Sequence, residues 1–109
     1  MPKIKILFVC TENLQRSPTA ESLFSNSKKY KVKSCGISQF AEIIISKESV
    51  RWADIIVCME EVHKEFILEN FPESHNKELI VLNILDIYYK DDPKLIELLK
   101  QKLKRFKTS

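Results

Sequence analysis

Apolar runs of strand length alternate along this chain with segments of helical period, and few folds accommodate that alternation. Residues 4–9 (Ile-Lys-Ile-Leu-Phe-Val) form a near-continuous β-type run, residues 55–59 (Ile-Ile-Val-Cys-Met) are wholly apolar, and residues 79–84 supply another. A strand without a polar face must be covered on both sides, which predicts a parallel sheet with helices above and below. A short strand over residues 30–34 completes the set. With 109 residues there is material for one core, so a single domain spanning residues 1–109 is expected. The expected fold class is α/β: a four-stranded parallel sheet flanked by helices on both faces.

Helix signals fall between these runs. Ser17 is expected to cap the first helix, with Pro18 at its first position, Glu21 stabilising the first turn and an end near residue 28. Gly36 marks a break. Ser46 caps a brief helix ending at Trp52, residues 60–70 form another that stops before Phe71-Pro72, and Asp92-Pro93 starts the last. Its apolar stripe, Leu95, Ile96, Leu98, Leu99, Leu103 and Phe106, covers the sheet. The cations around it (Lys100, Lys102, Lys104, Arg105, Lys107) read as its solvated face.

A net charge of +3, with signs mixed outside that last helix, points to neither a nucleic-acid nor a membrane partner. Cys10, Cys35 and Cys58 are odd in number and widely spaced, as reduced thiols of a cytoplasmic protein would be. Neither those cysteines nor His63 and His75 have metal-ligand spacing, so no metal or cofactor is expected. The two histidines read as solvated and Cys35 and Cys58 as core residues.

The informative stretch is residues 9–18, Val-Cys-Thr-Glu-Asn-Leu-Gln-Arg-Ser-Pro. It places a thiol at the end of a strand, an arginine six positions later, and a helix N-terminus directly after. In an open α/β sheet that edge is where ligands bind. Backbone N–H groups of Thr11, Glu12, Asn13, Leu14, Gln15, Arg16 and Ser17 can form a nest for a tetrahedral anion, and the Arg16 guanidinium can grip two phosphoryl oxygens. Helix dipole, Arg16 and the Ser17 hydroxyl together favour the nucleophilic thiolate form of Cys10. With Gly36 as the only glycine, Gly-rich nucleotide loops are excluded. Any left-handed residue in the loop falls to Asn13.

This stretch resembles the signature of the low-molecular-weight protein tyrosine phosphatases. Ala20-Glu21, Ser34-Cys35-Gly36-Ile37-Ser38 and the run from Ala53 to Met59 are also similar to segments of that family, and the chain is most similar to a short branch of it. The resemblance implies a phosphomonoester hydrolase acting on a phosphorylated substrate such as a phosphotyrosine protein, binding inorganic phosphate or another oxyanion, and passing through a phosphocysteine intermediate. It implies Cys10 as nucleophile, Arg16 as transition-state ligand and Asp86, in Leu85-Asp86-Ile87-Tyr88-Tyr89, as general acid. Asp91 and Asp92 compete for the last role, although Asp92 before Pro93 suits a helix cap. Phe40, Tyr88 and Tyr89 are the residues expected to contact an aromatic substrate.

Two positions depart from the family pattern. Glu12 replaces a usual glycine and puts negative charge beside a dianion site, and Gln15 replaces a second cysteine that could shelter an oxidised nucleophile. Two other readings stay open: an arsenate reductase on the same fold, and a non-catalytic phosphate- or phosphoprotein-binding module.

Overall fold

The computed structural model describes residues 2–106. Four parallel strands, β1 (Ile4–Cys10), β2 (Tyr30–Gly36), β3 (Ile55–Cys58) and β4 (Glu78–Val81), lie in the order β2-β1-β3-β4. Between them run α1 (Arg16–Leu23), α2 (Lys47–Trp52) and α3 (Glu61–Asn70), and α4 (Pro93–Lys102) follows β4. Alternate residues of β1 serve two cores. Ile6 and Phe8 meet Ala20 of α1, Phe24 just beyond it, and Leu95 and Leu99 of α4. Leu7 and Val9 meet Val50 of α2 and Ile67 of α3 on the other face. Both faces of β1 are therefore dry, which is why its sequence alternates so little. The expected α/β class, with helices on both faces, is the one observed.

Aromatic rings bind the first layer together. Phe8 stacks on Phe24 at 5.7 Å, Phe24 meets Tyr30 edge-on at 5.8 Å, and Tyr30 meets Phe106 edge-on at 5.5 Å. Of the expected stripe, Leu95 and Leu99 of α4 and Leu103 and Phe106 beyond its end are buried, with Leu98 packed beside them, whereas Ile96 is only partly covered. Lys107 lies outside the described residues. No helix among the described residues is long and apolar enough to cross a membrane.

Several boundaries differ from expectation for local reasons. Helix α1 begins at Arg16, and Gln15 rather than Ser17 precedes it. The Ser17 hydroxyl is committed to buried partners instead of to a cap, and Glu21 lies beyond the first turn, bonded to Ser34. The same helix stops at Leu23, not near residue 28, because Phe24 turns into the core and Ser27 Oγ accepts from the Lys29 and Tyr30 N–H groups to start β2. Strand β4 ends at Val81 because Asn83 adopts φ 57, a left-handed conformation that breaks the ladder. Ser46 caps α2, accepting from the Ser49 N–H at 3.1 Å. Asp92 caps α4, accepting from the Lys94 N–H at 2.8 Å.

Candidate active site

Cys10 ends β1 at the C-terminal edge of the sheet, and its thiol is nearly buried, at 3% exposure. The chain then needs a sharp reversal to enter α1. Asn13 supplies it with φ 59, a region asparagine tolerates. That turn aims the Asn13 N–H at Cys10 Sγ, 3.2 Å away, while Ser17 Oγ approaches the same sulfur at 2.9 Å.

Asn13 also organises the layer beneath. Its Nδ2 donates to Ser17 Oγ and Ser34 Oγ, both at 2.9 Å, Ser34 Oγ donates to Glu21 Oε1 at 2.5 Å, and Asn13 Oδ1 accepts from the Ile43 N–H at 3.1 Å. With its lone pair facing Nδ2, the Ser17 hydroxyl can turn its proton either to the sulfur or to the Cys35 carbonyl, 3.3 Å away. The loop carbonyls point away from the thiol. Cys10 O, Thr11 O and Glu12 O each accept, at 3.0 Å, from the N–H groups of Ile37, Ser38 and Glu42, and Gln15 O accepts from the Thr19 N–H at 3.1 Å. Among the described residues, none accepts from the N–H groups of Glu12, Leu14, Gln15, Arg16 or Ser17. Carbonyls satisfied outside and donors left free make an anion nest at a helix N-terminus. Pro18, third in α1, has no donor to lose there.

Gly36 makes this fold of the loop feasible. A Cβ at that position would stand 2.3 Å from Thr11 O, 2.8 Å from Ala41 Cβ and 2.9 Å from Asn13 N. The backbone of β2 and the loop touch there, so the glycine is required by close approach.

Arg16 is 2% exposed despite its charge, and its partners account for that. Its Nη1 donates to Glu60 Oε2 at 2.5 Å and to the Ile84 carbonyl at 2.7 Å, and its Nε faces Asp86 Oδ1 at 3.7 Å. The kink at Asn83 delivers that carbonyl. Nη2 has no hydrogen-bond partner among the described residues, so one edge of the fork remains for a ligand.

Glu60 and His63 are site residues that sequence reasoning missed. His63, expected in solvent, is fully buried. Its Nδ1 accepts from the Glu60 N–H at 3.0 Å, so Nε2 carries the proton and donates to Thr11 Oγ1 at 2.9 Å. Burial, then the nearby Arg16 charge, lowers its pKa to about 4 against the pull of Glu60 and Asp86, so the ring is neutral near pH 7. Register explains the encounter: β3 pairs with β1 up to Val9↔Cys58, which sets the residues after β3 beside the loop after β1. The available signal was position, two polar residues just past the end of a central strand.

A cavity of about 80 Å³ is lined by Cys10, Glu12, Leu14, Gln15, Arg16 and Asp86. Of the seven residues expected to bind phosphate, Glu12, Leu14, Gln15 and Arg16 thus form the wall, Thr11 turns toward His63, and Asn13 and Ser17 lie beneath the thiol. Asp86 is at the mouth, half exposed. With its amide nitrogen directed that way, Gln15 donates to Asp86 Oδ1 at 3.2 Å and to the Tyr88 carbonyl at 3.1 Å. Asp91 and Asp92 are not on the wall, as Asp92 caps α4 and the Asp91 N–H is held by Thr19 Oγ1 at 3.0 Å. Nor do Phe40, Tyr88 and Tyr89 line it: Tyr88 packs on the core, whereas Phe40 and Tyr89 are 79% and 78% exposed.

Comparison with known proteins points to one family. The model of the family described as Low molecular weight phosphotyrosine protein phosphatase matches residues 5–44. A Protein-arginine-phosphatase of Geobacillus stearothermophilus is 33% identical, the match covering 67% of this chain and 66% of that protein. The Low molecular weight protein-tyrosine-phosphatase PtpB of Staphylococcus aureus is also 33% identical, over 62% of this chain and 65% of the other. The chain thus spans just under two thirds of the length of these curated relatives. Among solved structures, the tyrosine phosphatase Wzb from Escherichia coli K30, in complex with phosphate, is similar with a TM-score of 0.76 at 25% identity, covering 95% of this chain and 96% of that one. Signature loop, sheet order and these likenesses coincide, and the chain belongs to the low-molecular-weight phosphotyrosine protein phosphatase family.

Proposed function

We propose that this protein hydrolyses phosphorylated protein side chains through a phosphocysteine intermediate. The observation that carries the reading is the setting of the Cys10 sulfur, with the Asn13 N–H donating to it at 3.2 Å, Ser17 Oγ hydrogen-bonded to it at 2.9 Å and the donor-lined entrance to α1 beside it. Those two contacts hold the sulfur at the entrance to α1. Cys10 attacks phosphorus, the free loop N–H groups and the open edge of Arg16 bind the equatorial oxygens, and Glu60 fixes the guanidinium. Asp86 protonates the departing atom at the mouth, then takes a proton from the water that releases phosphate. A macromolecular substrate meets exposed Leu14 and Leu85 beside the cavity, with Phe40 and Tyr89 as further apolar surface. The relatives' names divide between tyrosine and arginine, and both are candidate carriers of the phosphoryl group.

Arsenate reduction is less well supported, since it needs a thiol to resolve the arsenylated cysteine. Cys58 is pushed up to about 12 chiefly by burial, and Cys35 is raised further by burial and the neighbouring Cys10 and Cys58 charges. The three free thiols support a reducing, cytoplasmic location. The test is hydrolysis of p-nitrophenyl phosphate with vanadate as inhibitor, together with trapping of phosphocysteine. Cys10→Ser should abolish turnover while still binding vanadate, and full activity in that variant would refute the mechanism.

A further inference from the structure

We propose that Glu12 determines specificity, its carboxylate selecting substrates whose phosphoryl group is carried on a cationic nitrogen, of the phosphoguanidinium class. The inference rests on the phosphatase reading and narrows its substrate.

The cavity wall holds one cation, Arg16, against two carboxylates, Glu12 and Asp86. The positive charge is already engaged, because Arg16 Nη1 meets Glu60 at 2.5 Å and its Nε faces Asp86. Glu12 differs from both of those acids. Among the described residues it has no ion pair and its carboxylate has no hydrogen-bond partner, although it is half-buried on the wall. Its position is not accidental looseness of the chain, since its carbonyl is fixed by the Glu42 N–H at 3.0 Å. The site is therefore bipolar: N–H donors around the thiol attract a phosphoryl dianion, and the residue with the unpaired carboxylate belongs to the same wall.

A phosphate ester of a phenol satisfies only the donors and is repelled by Glu12. A phosphoryl group on a guanidinium satisfies both. In that reaction the Cys10 thiolate forms the S–P bond as the P–N bond breaks. The P–N electron pair goes to nitrogen, which takes the Asp86 proton, and the product leaves as a guanidinium facing the Glu12 carboxylate. Water then cleaves the S–P bond and phosphate departs. No other reactant is required.

The experiment compares kcat/KM of the full chain on two peptides of one sequence, carrying phosphoarginine or phosphotyrosine, for wild type and Glu12→Gln. Losing one unit charge should lower phosphoarginine turnover about tenfold and raise phosphotyrosine turnover severalfold, an effect that shrinks with added salt. An unchanged ratio overturns the proposal, as does an equal loss on both peptides, which would make Glu12 a general part of the machinery. If wild type hydrolyses neither peptide, the phosphatase reading itself fails, and inorganic phosphate binding decides the charge argument. A Kd about tenfold tighter in Glu12→Gln upholds it and an unchanged Kd overturns it.

Discussion

Replacing Gly36 by alanine tests whether the loop between β1 and α1 is shaped by contact with β2. The glycine does not have positive φ, so the substitution adds no backbone strain and its whole effect is steric. The new Cβ would lie 2.3 Å from Thr11 O, whereas a carbon and a carbonyl oxygen in weak contact stay about 3.3 Å apart. The Thr11 carbonyl must therefore retreat by about 1 Å. It cannot do so freely, because it accepts from the Ser38 N–H at 3.0 Å, and Asn13 N, the donor to Cys10, is displaced by the same atom. Overpacking of about 1–3 kcal/mol and one weakened hydrogen bond of about 1 kcal/mol give a loss of about 2–4 kcal/mol. In a chain of this size that lowers Tm by about 10–20 °C. Because the shift lands on the loop, vanadate affinity and kcat/KM should fall by about 100-fold under conditions where the variant is folded. Adding Ala41→Gly removes one of the three contacts and should restore only part of the stability. A Gly36→Ala protein with wild-type Tm and wild-type vanadate affinity would refute the reasoning, since the loop would then be free to move at no cost.

Asp86→Asn should slow phosphocysteine formation strongly for alkyl phosphates and weakly for p-nitrophenyl phosphate, whose leaving group needs no proton. Equal slowing of both substrates would remove Asp86 from the acid role, and loss confined to Asp92→Asn would transfer it. His63 predicts a pH dependence. Its pKa is about 4 in the folded chain against an ordinary 6.5, so between those values the unfolded chain binds the extra proton. Stability should therefore rise by about 3 kcal/mol as pH increases from 4 to 6.5, and be lost as pH falls through that window. Urea unfolding at both pH values should show this component in wild type and not in His63→Gln. Identical pH dependence in the two proteins would contradict the neutral, buried ring.

What could be read from the chain follows the range of the interactions concerned. The turn at Asn13, the caps at Ser46 and Asp92 and the strand ending in Cys10 depend on neighbours a few residues away, and each was legible. The support of Arg16 was not, because Glu60 lies 44 residues from it and Ile84 lies 68 away. Only the pairing of β3 with β1 and of β4 with β3 brings them together. Likewise His63 sits in a segment of polar composition, and its burial becomes intelligible only once Thr11 is opposite. Ser17 misled for another reason: a serine before a proline has cap chemistry, but the thiol and Asn13 compete for the same hydroxyl. Asn83 concealed its effect too, since residues 79–84 keep a strand-like composition while a single left-handed residue ends the ladder.

The bond from the Ile43 N–H to Asn13 Oδ1 gives the site an external reporter. Ile43 lies on an exposed segment, yet its amide proton is sequestered by the residue that turns the loop between β1 and α1. That proton cannot reach solvent until Asn13 lets go. Amide exchange at Ile43 therefore times the opening of the loop itself, and does so in the unmodified protein, with Cys10, its hydrogen bonds and Arg16 all left in place.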